Sequence, residues 1–139
     1  MLPYHVVSRI QVVNLFYLKE RGKFQLIRDG KIGPLMTGHD YVIFGNELVD
    51  KLQLLDLEGL RFEPVILWNR KADIEYTEYH RAFISDHFST DQINDLELDG
   101  LKFFVMNNND LFASPDLKEI LESQFSHYLD MYIGLSMFA

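Results

Sequence analysis

The sequence predicts an α+β fold, a mostly antiparallel sheet with two principal helices at about residues 46–56 and 115–127. A strand-turn-helix pattern occurs twice, because residues 42–52 align without gaps on residues 111–121. Two helices are too few to alternate with every predicted strand, which favours α+β over a parallel α/β sheet. The length of 139 residues is typical of one domain, which we take as residues 1–139.

The N-terminal region, residues 1–40, is predicted to be a β-hairpin region. Val, Ile, Phe and Tyr are frequent from His5 to Leu18, which favours a strand. A polar stretch ending in Gly22 follows, and apolar residues then alternate with polar ones from Lys23 to Arg28. Two such segments around a glycine-containing turn are typical of a hairpin.

The first copy of the repeated pattern begins with a short buried strand, Tyr41 to Phe44. Either Gly45 or Asn46 can cap the helix that follows, and Glu47 lies where the helix dipole favours an acid. The apolar residues of this helix recur on one face: Leu48, Leu52 and Leu55.

The middle of the chain is predicted to consist of strands. Residues 60–68 and 76–84 are the first two, and Pro64 implies an edge position or a bulge. Residues 96–98 and 101–106 are predicted to form a second hairpin about Asp99-Gly100.

The second copy contains the best helix signal in the chain. Ser114 is a favourable N-cap, Pro115 suits the first helical position and Asp116 complements the dipole. The predicted buried stripe of this helix is Leu117, Ile120, Leu121 and Phe125. The pattern of residues 128–135 decides neither helix nor strand.

Composition restricts the possible classes of protein. Because the chain has no cysteine, disulfides and thiolate zinc sites are excluded. The N-terminus lacks the pattern of a secretory signal, and no apolar run approaches the ~20 residues that a membrane span requires. We therefore expect a cytoplasmic protein that does not bind a membrane.

Charge is distributed unevenly along the chain. The formal net charge is −8, yet residues 1–40 carry six basic and three acidic residues. Between Asp73 and Asp99 there are eight acids and one base, Arg81. A surface of that sign repels nucleic acid and attracts a basic partner. The alternative is that the acids only keep these loops solvated.

Aromatic residues are concentrated in the same part of the chain. Trp and Tyr beside charged residues are typical of protein interfaces, although aromatic residues also fill cores. The candidate partner-binding residues are Trp68, Tyr76, Glu78, Tyr79, Asp86, Asp91 and Asp95.

No motif for catalysis, metal binding or cofactor binding is complete. His80 and His87 lie near several carboxylates, which leaves open a small metal-dependent hydrolase around them. The spacing matches no His-Glu-x-x-His motif, and no glycine-rich phosphate loop is present. We therefore expect a protein that is not an enzyme and needs neither a metal nor a cofactor.

Residues 41–52 and 57–65 resemble a large family of bacterial immunity proteins. The resemblance lies in a strand, a helix start and the segment Gly59-Leu60-Arg61-Phe62-Glu63-Pro64-Val65. Residues 102–121 are similar to a later strand-turn-helix of that family, and Asn46 replaces the usual Ser or Thr cap. The similar α+β region is residues 41–139.

The resemblance implies a cytoplasmic antidote that binds and occludes a cognate protein toxin. Many such toxins are basic nucleases, for which an acidic face would be complementary. A structural or adaptor domain is the alternative. It would self-associate, as a homodimer for example, through the apolar tail from Met131 to Ala139.

Overall fold

The computed structural model describes residues 1–107 and 110–138 and has an α+β fold, as the sequence predicts. The strands are β1 (Tyr4–Ser8), β2 (Leu15–Leu18), β3 (Lys23–Leu26), β4 (Leu35–Gly38), β5 (Tyr41–Gly45), β6 (Leu60–Asn69), β7 (Ile74–Ile84), β8 (His87–Phe88), β9 (Phe103–Met106), β10 (Asp110–Ala113) and β11 (Leu129–Ile133). The helices are α1 (Asn46–Gln53) and α2 (Pro115–Phe125), with short 3-10 turns at Thr90–Gln92 and Ser136–Phe138.

The strands form two sheets. The five-stranded sheet has the order β11-β1-β10-β9-β8, and the six-stranded sheet has the order β2-β3-β6-β7-β5-β4. All strand pairs are antiparallel except β3 with β6 and β8 with β9. The fold class is therefore confirmed as mostly antiparallel.

Both copies of the repeated pattern fold as a strand followed directly by a helix, β5-α1 and β10-α2. The helices end earlier than predicted, at Gln53 and Phe125. Gly45, rather than Asn46, occupies the N-cap position of α1. Both helices bury their apolar faces in one core between the sheets, which contains Leu48, Leu52, Leu117 and Leu121.

Two predicted strand arrangements are wrong. The segment from His5 to Leu18 is broken at residues 9–14, because β1 joins the five-stranded sheet whereas β2 forms the predicted hairpin with β3 in the other sheet. Residues 96–98 have no strand structure. Their leucines instead pack on the outer face of the five-stranded sheet, and β9 forms its hairpin with β10.

Pro64 was predicted to lie at an edge position or at a bulge, and the structure shows both features next to it. The strand β3 pairs with β6 at residues 66–68, so among the described strands Pro64 has a neighbour only on the β7 side of β6. The register between β6 and β7 shifts immediately afterwards, between Val65 and Leu67. Because proline has no N–H to donate, an unpaired edge next to a bulge accommodates it.

Candidate partner-binding surface

Residues 85–99, here called the acidic segment, run along the β8 edge of the five-stranded sheet. Asp86, Asp91 and Asp95 are all exposed on it. Apolar residues of the same segment point inward: Phe88 and Ile93 are buried, and Leu96 and Leu98 pack against them. The carboxylates are therefore presented to solvent by a segment that the core holds in place.

Hydrogen bonds of the backbone and of side chains fix the first half of the acidic segment. Val105 N donates to Asp86 O at 2.9 Å, which joins the segment to β9. Ser89 N donates to Gln92 Oε1 at 2.9 Å, and Ser89 Oγ donates to Asp91 Oδ1 at 2.5 Å. The carboxylate of Asp91 is thus oriented before any partner arrives.

The charges of the acidic segment are not neutralised within the described part of the chain. None of the ion pairs found among residues 1–107 and 110–138 includes an acid of this segment. Lys102 Nζ approaches it but donates to the backbone oxygen of Glu97, at 3.3 Å. The surface therefore keeps its negative potential, which attracts a basic partner.

Ser114 holds the far end of the acidic segment. It is the N-cap residue of α2, as predicted, but its side chain makes no cap hydrogen bond. Its Oγ donates to Gly100 O at 2.8 Å and accepts from Lys102 N at 3.1 Å. The hydroxyl therefore joins the start of α2 to the end of the acidic segment.

We expect Ser114→Ala to lower the free energy of unfolding by about 1–3 kcal/mol, because Gly100 O and Lys102 N both lose the hydroxyl of the fully buried Ser114 as their partner. Urea denaturation measures this loss. Ser123→Ala is the matched control, since the Ser123 hydroxyl only donates to Ile120 O on the exposed side of α2. Equal losses for both variants would contradict the role of Ser114.

The predicted aromatic candidates lie elsewhere, towards the opposite end of β7. Trp68 on β6 stands beside two cations, with Arg21 Cζ 5.4 Å and Lys23 Nζ 5.2 Å from its ring. Its Nε1 donates to Asp73 Oδ1 at 3.4 Å, and Lys23 forms an ion pair with Glu75. Trp68 is therefore part of a mixed-charge cluster.

Tyr76 and Tyr79 are partly buried against the core of the six-stranded sheet. Burial raises the pKa of Tyr79, with the neighbouring charge of Glu78 adding to the effect. Glu78 itself is exposed, on the bulge of β7. At about 3.3 Å per residue, the chain from Tyr79 to Asp86 spans up to roughly 23 Å. The seven candidates thus form two separate groups.

His80 and His87 do not come together at a metal site. His80 Nδ1 lies 2.7 Å from Asn46 Oδ1, and His87 Nε2 lies 2.7 Å from the backbone oxygen of Ile84. Among the residues that the structure describes, no group of three or more His, Asp or Glu side chains is arranged to hold a metal ion.

The sequence pattern did not indicate that two arginines, Arg61 and Arg81, pack on the ring of Phe83 beside the acidic segment. The guanidinium carbons of Arg61 and Arg81 lie 4.2 Å and 4.8 Å from the centre of the Phe83 ring. Arg81 and Phe83 also line a cavity of about 140 Å³, together with His87. Only the pairing of β6 with β7, which places Arg61 opposite Phe83, reveals this group.

Comparison with protein-family models, with curated proteins and with solved structures finds no match. Within the described ranges, neither helix has the length and apolar character that crossing a membrane requires.

Proposed function

We propose that this protein is a bacterial immunity protein that binds a cognate toxin in the cytoplasm and occludes it. The observation that carries the proposal is the acidic segment. Its carboxylates are exposed, unpaired within the described residues and held by a buried apolar row. The resemblance of residues 41–52, 57–65 and 102–121 to immunity proteins supports the same function.

A basic partner fits the charge of this surface. Complementary charges accelerate the encounter of two proteins, and this acceleration decreases as salt screens the charges. An antidote that must reach its toxin quickly benefits from such steering. The segment loses little conformational freedom on binding because it is already ordered by Phe88 and Ile93.

The proposal predicts that reversing three charges, D86K/D91K/D95K, weakens binding of the toxin by more than tenfold. The loss should lie mainly in the association rate, and the remaining binding should depend less on salt. Surface plasmon resonance at several salt concentrations, with a catalytically inactive toxin as the ligand, measures both quantities.

The matched control is E20K/D50K/E119K, which reverses three exposed acids outside the acidic segment and changes the net charge equally. We expect this variant to bind with nearly the affinity of the unaltered protein. If both triple variants lose affinity equally, net charge rather than the acidic segment governs binding.

The toxin itself is sought by affinity capture from the source cells, using the unaltered protein and D86K/D91K/D95K as parallel baits. A basic partner retained only by the unaltered bait is then expressed in a heterologous host. Growth arrest that co-expression of this protein relieves would establish the function. A partner whose expression is harmless would refute the immunity proposal.

A further inference from the structure

The free edge of β11 lacks the devices that normally protect an exposed strand. It contains neither proline nor lysine, and its one charged residue, Asp130, is bound by Arg9 with 3.0 Å between Nη2 and Oδ1. The other sheet edges differ: β8 has two residues, and β2 and β4 line one shared groove. The charge at the β11 edge is thus neutralised by an ion pair, and among the described strands this edge has no neighbour.

The backbone hydrogen bonds to β1 determine which groups of β11 point outward. Arg9 N donates to Tyr128 O, and Gly134 N donates to Pro3 O. The direction of the N–H and C=O groups alternates along an antiparallel strand. These two bonds therefore show that the backbone groups of the even-numbered residues of β11 point towards β1. Leu129, Met131 and Ile133 therefore direct their N–H and C=O groups away from the sheet.

Apolar side chains surround this outward row of backbone groups. Tyr132 is 40% exposed and Ile133 is 51% exposed, while Met137 and Phe138 of the following 3-10 turn are 49% and 47% exposed. A strand edge with adjoining apolar surface is a template for another strand. The apolar tail that the sequence suggests as an interface is therefore partly exposed beside a free edge.

We propose that a second copy of this chain pairs with β11 in antiparallel orientation about a two-fold axis at Met131. In this register Leu129 faces Ile133 of the second copy, and Met131 faces its own counterpart. All the outward groups then pair, giving about six backbone hydrogen bonds. The two five-stranded sheets become one continuous sheet.

The local charge at β11 permits a second copy to approach this edge. Two chains of net charge −8 repel each other, and the repulsion is smallest where the local charge is neutralised. At β11 the Arg9–Asp130 pair provides that neutralisation, and Tyr132 of the second copy stands opposite Asp130. The acidic segment lies at the other edge of the sheet, roughly 19 Å away at 4.8 Å per strand.

Light scattering coupled to size exclusion tests the pairing, and it requires no knowledge of the toxin. We expect a mass of twice 16.4 kDa that falls towards 16.4 kDa on dilution. Ile133→Pro should raise the dissociation constant at least tenfold, because it removes an outward N–H that has no bond to any other described residue of the protomer. A mass of one chain at every concentration up to about 1 mM would overturn the proposal.

Ile133→Lys and Ile74→Lys form a matched pair, since these isoleucines are 51% and 46% exposed and both lie at strand ends. Lysine at 133 should weaken the dimer at least tenfold, whereas lysine at 74 should leave it unchanged. If neither Ile133→Pro nor Ile133→Lys changes the dissociation constant, another surface holds the dimer and the β11 pairing is refuted. Circular dichroism confirms that each variant is folded.

Discussion

Phe44→Ala is expected to lower the free energy of unfolding by about 3–5 kcal/mol, one of the largest effects of any single change in this chain. Phe44 is 1% exposed and belongs to β5 of the six-stranded sheet. Its ring lies 6.1 Å from the ring of Phe62 on β6 and 5.7 Å from that of Phe103 on β9. Removing it leaves a cavity where the two sheets meet.

Urea denaturation followed by the fluorescence of Trp68, the single tryptophan, measures this loss. The matched control is Phe16→Ala on β2, where the side chain is 61% exposed and the expected change is within about 0.5 kcal/mol. A loss below about 1 kcal/mol for Phe44→Ala would show that the sheets are not held together by this ring.

Acidification is expected to destabilise the protein through His5. The side chain is buried and stacked, with ring centroids 5.0 Å from Phe112 and 4.9 Å from Phe138. Burial lowers the pKa of His5 from 6.5 to about 4, and the Asp110 carboxylate lies 3.8 Å from His5 Nε2. Within the described residues, His5 Nδ1 has no hydrogen-bond partner.

The direction of the effect follows from the two protonation states. Between pH 6.5 and pH 4 the unfolded chain binds a proton at His5 that the folded chain does not, so stability decreases as the pH falls. The full loss is about 3 kcal/mol, of which about 2 kcal/mol arises between pH 7 and pH 5. Denaturation curves at pH 7 and pH 5 measure this larger part of the loss in the free energy of unfolding.

His5→Phe keeps a ring between Phe112 and Phe138 but cannot be protonated, so we expect it to abolish about 2 kcal/mol of the difference between pH 7 and pH 5. An unchanged difference would assign the acid sensitivity to other groups. Asp110→Asn is the second control. Burial raises the pKa of Asp110, so this group opposes folding as the pH rises and cannot mimic the loss from His5.

Local sequence signals predicted the elements whose determinants lie close together in the chain. Ser114-Pro115 marks the start of α2, and the glycine turn after residue 18 marks the β2–β3 hairpin. Pairings between distant segments could not be predicted, because they depend on which surfaces meet after collapse. The parallel contact of β3 with β6 and the position of β1 between β10 and β11 are of this kind.

The candidate partner-binding residues were likewise predicted only in part. The carboxylates of Asp86, Asp91 and Asp95 were found from composition, and the structure places all three on exposed positions. Their grouping with Trp68 followed only from proximity in sequence. Trp68 lies on β6 and the two tyrosines lie on β7, whereas the three aspartates follow the end of β7. The sequence predicted these strands but not how far apart their side chains lie.

The position of β1 also has a consequence for synthesis on the ribosome. Its neighbour β11 pairs Leu129 with Ser8, 121 positions later in the chain. At about 5–20 residues per second, β1 waits roughly 6 to 24 s for that partner. During this interval the edge of β1 that will face β11 has unsatisfied backbone groups, and the strand has an apolar face. The nascent chain is therefore vulnerable to aggregation until its last strand emerges.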